Sequence, residues 1–230
     1  MLKSLVNLAL ARVRPGKRIA EEISGFDLLL FVSEQIVSGI RGTVLSLRCA
    51  HATPCFIGRG VRLRFARQIT IGRYTTIGDG AILSGLGRSG LQIGARVNIA
   101  PYARLVVGTD IGHPGSYIRI GDGVGIGEYS SVGGSGGVSI GDNTIIGQYF
   151  SAHPENHNYG ELSRPIREQG TTRAAIAIGG DCWFGARVTV LAGVRIGDGC
   201  VIAAGSVVTR DIPDRSVAAG IPARVIRSRH

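Results

Sequence analysis

From residue 51 onward one unit recurs: an aliphatic residue followed by glycine or another small residue, returning every six positions. Ile57, Ile71, Ile77, Ile93, Ile99, Ile120, Ile126, Ile140, Ile146, Ile178, Phe184, Ile196 and Ile202 mark it. The Ile residues that open successive runs are 22 (71 to 93), 27 (93 to 120), 20 (120 to 140), 38 (140 to 178) and 18 (178 to 196) positions apart. If three six-residue sides make one coil of 18, the surpluses are 4, 9, 2, 20 and 0, and each falls on the third side, after two clean hexapeptides.

One large aliphatic and one small residue per side suits a coil of short parallel strands with tight corners. The aliphatics then stack inside as continuous ladders, one strand spacing of about 4.8 Å per coil. Glycine at the second position serves the corner, where a side chain would clash or positive φ is required. No coil buries its ladder alone, so several must stack and the ends need caps. Insertions confined to one side emerge from one corner and form a ridge, where loops on a rigid scaffold gather a site. The pattern predicts an all-β parallel β-helix of about seven coils over 51–213, with its longest loop at 158–177 and a C-terminal cap at 214–230.

Residues 1–50 stand outside the repeat as an N-terminal helical segment. Leu2, Leu5, Val6, Leu8, Ala9 and Val13 fit a short amphipathic helix ended by Pro15-Gly16. A signal peptide fits less well, because the apolar part is short, contains Asn7 and stops at Arg12. From Phe26 to Leu47 the chain is apolar, but Glu34, Gln35 and Arg41 interrupt it, so no apolar run reaches the roughly 18 residues of a spanning helix. Two placements are open for these helices: packed on the main domain, or lying on a membrane face.

The net charge of +10 comes from 24 Arg and 2 Lys against 16 acidic residues, and residues 1–67 hold 11 basic and 4 acidic residues, a net of +7. A basic front suits an anionic membrane surface or an acidic ligand, or is simply solvated. Nucleic acid is not expected, since aromatic interleaving is missing. With 36 Gly but only 8 Pro and no triplet period, collagen-like and disordered classes are excluded. Cys49, Cys55, Cys182 and Cys200 form no C-x-x-C pair, which indicates a reducing compartment. Cys182 and Cys200, one coil apart, read as stacked core residues rather than a disulfide or zinc site.

The segment GGDCWFGARVTVLAGVRIGDGCVIAAGSVVTRDIPDRSVAAGIPARVIR (179–227) resembles the C-terminal signature of the maltose, galactoside and colanic-acid acetyltransferases, which are hexapeptide-repeat acyltransferases. The resemblance covers about 51–227 and is most specific over 178–227. It implies a left-handed coil, a homotrimer with active sites between neighbouring prisms, and acetyl-CoA as the acyl donor, with no metal. Trp183 is then expected at the mouth of the CoA cleft. Gly185, Ala186, Ala203, Ala204, Gly205 and Thr209 would lie along the pantetheine arm, with Arg210 and Arg224 toward the phosphates.

Acyl transfer to a hydroxyl needs a base near neutral pKa, for which His is the usual choice. His51 and His230 are at the edges of the repeat, and His113 lies in the insertion 106–119. His153 and His157 lie where the longest interruption begins. In the resembled enzymes the catalytic His is on the third side, one residue before its coil would close. Counting 17 from Ile140 gives His157, in the Asn156-His157 context of the colanic-acid branch, with His153 in a galactoside-like His-Pro pair as the alternative. His113 and Asn156 are candidate acceptor contacts, His113 being equally readable as a polar turn residue. Glu155 reads as a loop-solvating carboxylate rather than an imidazole partner.

The implied activity is O-acetylation of a sugar hydroxyl by direct transfer, in bacterial surface-polysaccharide assembly. The workplace is cytoplasmic, with residues 1–50 a possible peripheral contact at the inner membrane face. N-acetylation of an amino sugar, or acetylation of serine or an antibiotic, uses the same scaffold. A β-helix metalloenzyme would need three convergent His, which 113, 153 and 157 do not supply. A catalytically inactive scaffold is the non-enzyme alternative. Residues 1–50 do not resemble the front of the maltose and galactoside enzymes, so small-sugar acceptors do not follow.

Overall fold

The computed structural model describes residues 2–13, 16, 18–45, 50–51 and 54–229. Pro15, Cys49 and His230 lie outside them, as does the side chain of His51.

The six-residue pattern folds into a three-sided prism of parallel strands. Side one is a seven-stranded sheet running from Ala50–His51 through Ile69–Ile71, Leu91–Ile93, Ile118–Ile120, Val138–Ile140 and Ile176–Ile178 to Arg195–Ile196. Side three has seven strands, from Arg62–Arg64 to Val207–Val208, so the prism has the seven coils the repeat predicts. Side two starts at Phe56–Ile57 and carries two further strands at the C-terminal end. Every repeat-marking residue from Ile57 to Ile202 is at most 4% exposed. In register they form continuous ladders, such as Ile71, Ile93, Ile120, Ile140, Ile178 and Ile196 on side one.

The glycine after each ladder residue is there for space. A Cβ on Gly121, Gly179 or Gly197 would lie 2.0–2.4 Å from the carboxylate oxygen of Asp142, Asp198 or Asp214 in the next coil. These aspartates accept backbone N–H groups from the coil before, as Asp198 does from Gly180 at 2.7 Å. Positive φ falls two residues further on, at Tyr74 (60°), Arg96 (55°), Asn143 (58°) and Asp181 (51°). Of the two reasons offered for the glycine, close approach is the one that operates.

The insertions all leave the corner between sides three and one. The longest runs from Pro154 to Ala175 and contains an antiparallel hairpin, Glu155–His157 with Thr171–Arg173. The repeat alone predicts this loop over 158–177. The chain instead departs directly after the third-side strand Ser151–His153 and is back in the core at Ile176, which is 0% exposed.

Helix α1 (Leu2–Val13) matches the amphipathic segment, and α2 (Gly25–Leu45) is one continuous helix. Ser24 starts α2 by accepting the Asp27 N–H at 3.1 Å and donating to the Asp27 carboxylate at 2.6 Å. The polar residues at 34, 35 and 41 do not break it, so the expectation of no stretch long enough for a membrane is corrected. This 21-residue helix, with mean hydropathy 1.4 over an 18-residue window, is long and apolar enough to cross one. It packs on the first coil, where a Cβ on Gly42 would sit 2.2 Å from the Cys55 carbonyl oxygen. At the other end, Ser216–Gly220 pairs with the last side-two strand and folds back on Ala223–Ser228 as an antiparallel cap.

Candidate active site

The third-side strand Ser151–His153 puts Ala152 in the core and turns Ser151 and His153 outward, as alternation requires. The Ser151 hydroxyl and His153 Nε2 are 2.5 Å apart. His157 is four residues on, on the first arm of the hairpin, opposite Thr171. Its imidazole is exposed. Asn156, opposite Thr172, is exposed beside it.

The hairpin is held at both ends. At its base, the Arg173 guanidinium pairs with Glu155, so the carboxylate is engaged by an arginine and not by an imidazole. Arg173 also donates to the carbonyls of Pro114 at 3.1 Å and His113 at 3.4 Å. This ties the hairpin to the insertion that carries His113 and brings the His113 and His157 segments to one corner. At its far end, the Gln169 side chain bridges both arms of the turn, to Glu161 and Arg164. His113 itself is 3.4 Å from the Asp110 carboxylate and largely exposed. The Asp110 carboxyl is held below its ordinary range, first by the Gly112 N–H and then by His113.

The residues expected to meet CoA fall elsewhere on the last coils. Trp183 points outward from side two, 57% exposed, in register with Ile145 and Val201. Gly185, Ala186, Ala203, Ala204 and Gly205 form the corner between sides two and three, stacked through Gly185 N–H to Ile202 carbonyl and Gly205 N–H to Ala186 carbonyl bonds, both 2.8 Å. Thr209 and Arg210 are exposed where side three ends, and Arg224 is on the closing strand, donating to the Ala223 carbonyl at 2.9 Å. Within one chain, therefore, the His-bearing hairpin and the small-residue corner occupy opposite edges of side three. Cavities of about 510, 560, 370 and 680 Å³ lie on the prism and under its helical cap, and none of their linings includes His153, His157 or Trp183.

Cys182 and Cys200 are stacked and buried, the Cys200 N–H reaching the Cys182 sulfur at 3.4 Å. Desolvation pushes the Cys182 thiol up to about 11 and raises Cys200 as well, so neither is a thiolate at neutral pH. Both cysteines are free thiols, as the stacked-core reading expects. Among the described residues no cluster of three or more His, Cys, Asp or Glu could hold a metal ion.

Two features escaped the sequence reading. Arg173 gave no signal, because its partners are 18 and 59–60 residues away. Tyr102, Tyr129 and Tyr149 did give one, each lying three residues after a side-two ladder residue. They stack at the corner between sides two and three with ring centroids 5.2 and 5.3 Å apart, and Arg187 continues the column over Tyr149.

Residues 175–210 match the family described as hexapeptide repeat of succinyl-transferase. A protein of Mycobacterium tuberculosis named as a probable acetyltransferase is 30% identical over 177 residues, covering 76% of this chain and 50% of that protein. The galactoside O-acetyltransferase of Escherichia coli is 43% identical over 95 residues, covering 39% of this chain and 43% of that enzyme. The chain thus spans about half or less of the length of these relatives. In fold, AntD, an N-acyltransferase from Bacillus cereus solved with dTDP and 3-hydroxybutyryl-CoA, superposes with a TM-score of 0.57 at 18% identity, over 83% of this chain and 88% of that one. The chain has the left-handed β-helix fold, with the hexapeptide repeat matched over residues 175–210, and it resembles the acetyltransferases among these relatives.

Proposed function

We propose that the chain is an acetyl-CoA-dependent O-acetyltransferase acting on a sugar hydroxyl in bacterial surface-polysaccharide biosynthesis. It works as a cytoplasmic homotrimer, peripheral at the inner face of the membrane. The observation that carries the reading is the pairing of two parts on neighbouring coils of the C-terminal half of the prism. One is an exposed imidazole, His157, on a hairpin clamped by Arg173. The other is the corner formed by Gly185, Ala186, Ala203, Ala204 and Gly205, whose small side chains would let an extended ligand lie close to the backbone. Because the two occupy opposite edges of side three, a neighbouring prism would bring its corner to this chain's hairpin. That is the geometry a trimer supplies.

In this reading His157 takes the proton from the acceptor hydroxyl as the oxygen attacks the acetyl carbonyl carbon. Backbone N–H groups of the cleft hold the oxyanion of the tetrahedral intermediate. The carbon–sulfur bond then breaks, and the His157 imidazolium returns its proton to the CoA thiolate. His153, paired with Ser151, is the alternative base. Trp183 covers the mouth of the donor cleft, Arg210 and Arg224 meet its phosphates, and Asn156 and His113 contact the acceptor. Neither Cys182 nor Cys200 carries the acyl group in this reading, since both thiols are buried and protonated at neutral pH.

Calorimetric titration with acetyl-CoA, followed by a thiol-release assay across sugar and amino-sugar acceptors, tests the reading. His157→Ala is expected to lose roughly 10²–10⁴ in rate while still binding CoA, and His153→Ala much less. Full turnover by His157→Ala with an acceptor that works for wild type overturns the base assignment. Absence of CoA binding overturns the whole reading.

A further inference from the structure

Helix α2 is fixed to the prism by one face and leaves a continuous apolar face open. Leu28 and Gly42 are buried, Gly42 against Cys55 of the first coil, and Arg41 donates to the Ile57 carbonyl at 3.3 Å. On the opposite side Phe26, Leu29, Ile36, Val37, Ile40 and Val44 are 46–71% exposed. At 100° per residue these six lie within an arc of about 100°, with Ser33 the polar residue among them and Asp27, Glu34 and Arg41 outside it. The tight seat of Gly42 on the Cys55 carbonyl holds the helix so that this arc cannot turn inward.

The apolar surface continues behind the helix. A groove of about 560 Å³ between α1, α2 and the first two coils is lined by Leu5, Leu10, Phe31, Ile36 and Phe56, with Gln35 and Thr76 its polar members. Leu5 (62%), Phe31 (39%) and Ile36 (58%) belong both to the groove and to the exposed surface. Such a face is far larger than isolated exposed apolar residues on a soluble surface and marks a contact.

Charge decides what the contact is. Of the net +10, +7 falls in residues 1–67, and Arg59, Arg62, Arg64 and Arg67 are all exposed on the first coil beside the helical cap. Glu34 and Asp79 share one cleft with Arg41 and Arg59, leaving the other arginines unbalanced. A second copy of the chain would set this positive end against itself. An anionic lipid surface complements both the arginines and the apolar arc.

We infer that α1 and α2 form a platform that docks on an anionic bilayer. The Phe26–Val44 face of α2 sits at the headgroup–acyl boundary, and the first-coil arginines lie over the headgroups. The helix lies on the membrane and does not span it, because spanning would strip Gly39, Gly42 and Arg41 from the prism. This deepens the peripheral location in the proposed function by naming its surface, and it stands independently of acyl transfer.

Flotation of the full chain with vesicles of phosphatidylcholine alone, and with 30% phosphatidylglycerol, tests it at low and high salt. Wild type is expected to float with the anionic vesicles and to bind less as salt rises. Leu29→Asn/Ile36→Asn/Ile40→Asn, which leaves the packed face intact, should lower partitioning on the order of 100-fold. The same variant should keep the wild-type circular dichroism melt and acetyl-CoA affinity, so loss of docking is separable from misfolding and from failure of the enzyme reading. The inference is overturned if wild type stays with the soluble fraction, or if the triple variant floats equally well. It is also overturned if the variant instead lowers the oligomer mass in sedimentation, since the face then joins copies of the chain.

Discussion

Replacing Gly141 by alanine should be among the most damaging single-methyl additions in this prism. Gly141 has ordinary strand-corner φ, so no backbone strain is at issue. Its new Cβ would lie 2.5 Å from the Gly180 nitrogen, 2.6 Å from the Gly179 carbonyl carbon and 2.9 Å from its oxygen. Carbon atoms in good contact sit about 3.5–4.0 Å apart, so the overlap is about 1 Å. All three atoms are backbone of the next coil, held by the Gly141 N–H to Ile178 carbonyl bond at 2.9 Å and the Asp181 N–H to Asp142 carbonyl bond at 2.8 Å. The methyl group can be admitted only by parting these coils. Overpacking that cannot relax into a side chain belongs at the upper end of its usual cost, about 3 kcal/mol. At roughly 2–4 °C per kcal/mol for a chain of this size, the melting midpoint should fall by about 6–12 °C. Gly125→Ala is the matched control: it lies on a side-two strand with nothing within 4 Å of its Cβ. There a methyl group should be neutral or stabilise by about 0.4–1 kcal/mol. Thermal unfolding followed by circular dichroism reads both. A Gly141→Ala midpoint within about 2 °C of wild type, or equal damage from Gly125→Ala, would refute the idea that the second repeat position is glycine for space.

Phe184→Ala should cost about 3–5 kcal/mol in denaturant unfolding, since Phe184 is fully buried and meets Phe150 edge-on with centroids 5.5 Å apart. Asp198→Ala leaves the Gly180 N–H without its 2.7 Å acceptor and should cost about 0.5–1.5 kcal/mol by the same assay. The Cys182 thiol, raised from 9.0 to about 11 by burial, favours the folded state fully below pH 9. That contribution is lost as pH rises through about 11, because the unfolded chain then holds a thiolate that the fold disfavours. The urea midpoint of wild type should thus fall more steeply from pH 9 to pH 11 than that of Cys182→Ala.

The ladders, the coil count and the common corner of the insertions were legible because each coil repeats one physical demand, a large apolar group inward and room beside it. A six-residue period reports that demand wherever the chain follows it. It carries no information where the chain leaves it. The hairpin after His153 depends on the Glu155–Arg173 pair and on carbonyls of an insertion some 60 residues earlier, contacts between segments without period. The helical front shows the same limit: Glu34 and Arg41 look like interruptions in a linear reading but lie outside the apolar arc once wound at 100° per residue. The tyrosine column was readable in principle, since residues 102, 129 and 149 hold one phase of the repeat.

All the insertions leave the corner where side three meets side one, and this makes the scaffold modular. A segment such as 154–175 begins and ends within one strand spacing of where a plain six-residue corner would, so its length hardly enters the stability of the coils around it. Each doubling of a flexible loop adds only about 0.6 kcal/mol of closure cost. Selection, or an engineer, can therefore exchange the hairpin that carries His157 while keeping the coils that carry Trp183 and the small-residue corner unchanged. The loops on such a prism should diverge much faster than the repeat that carries them.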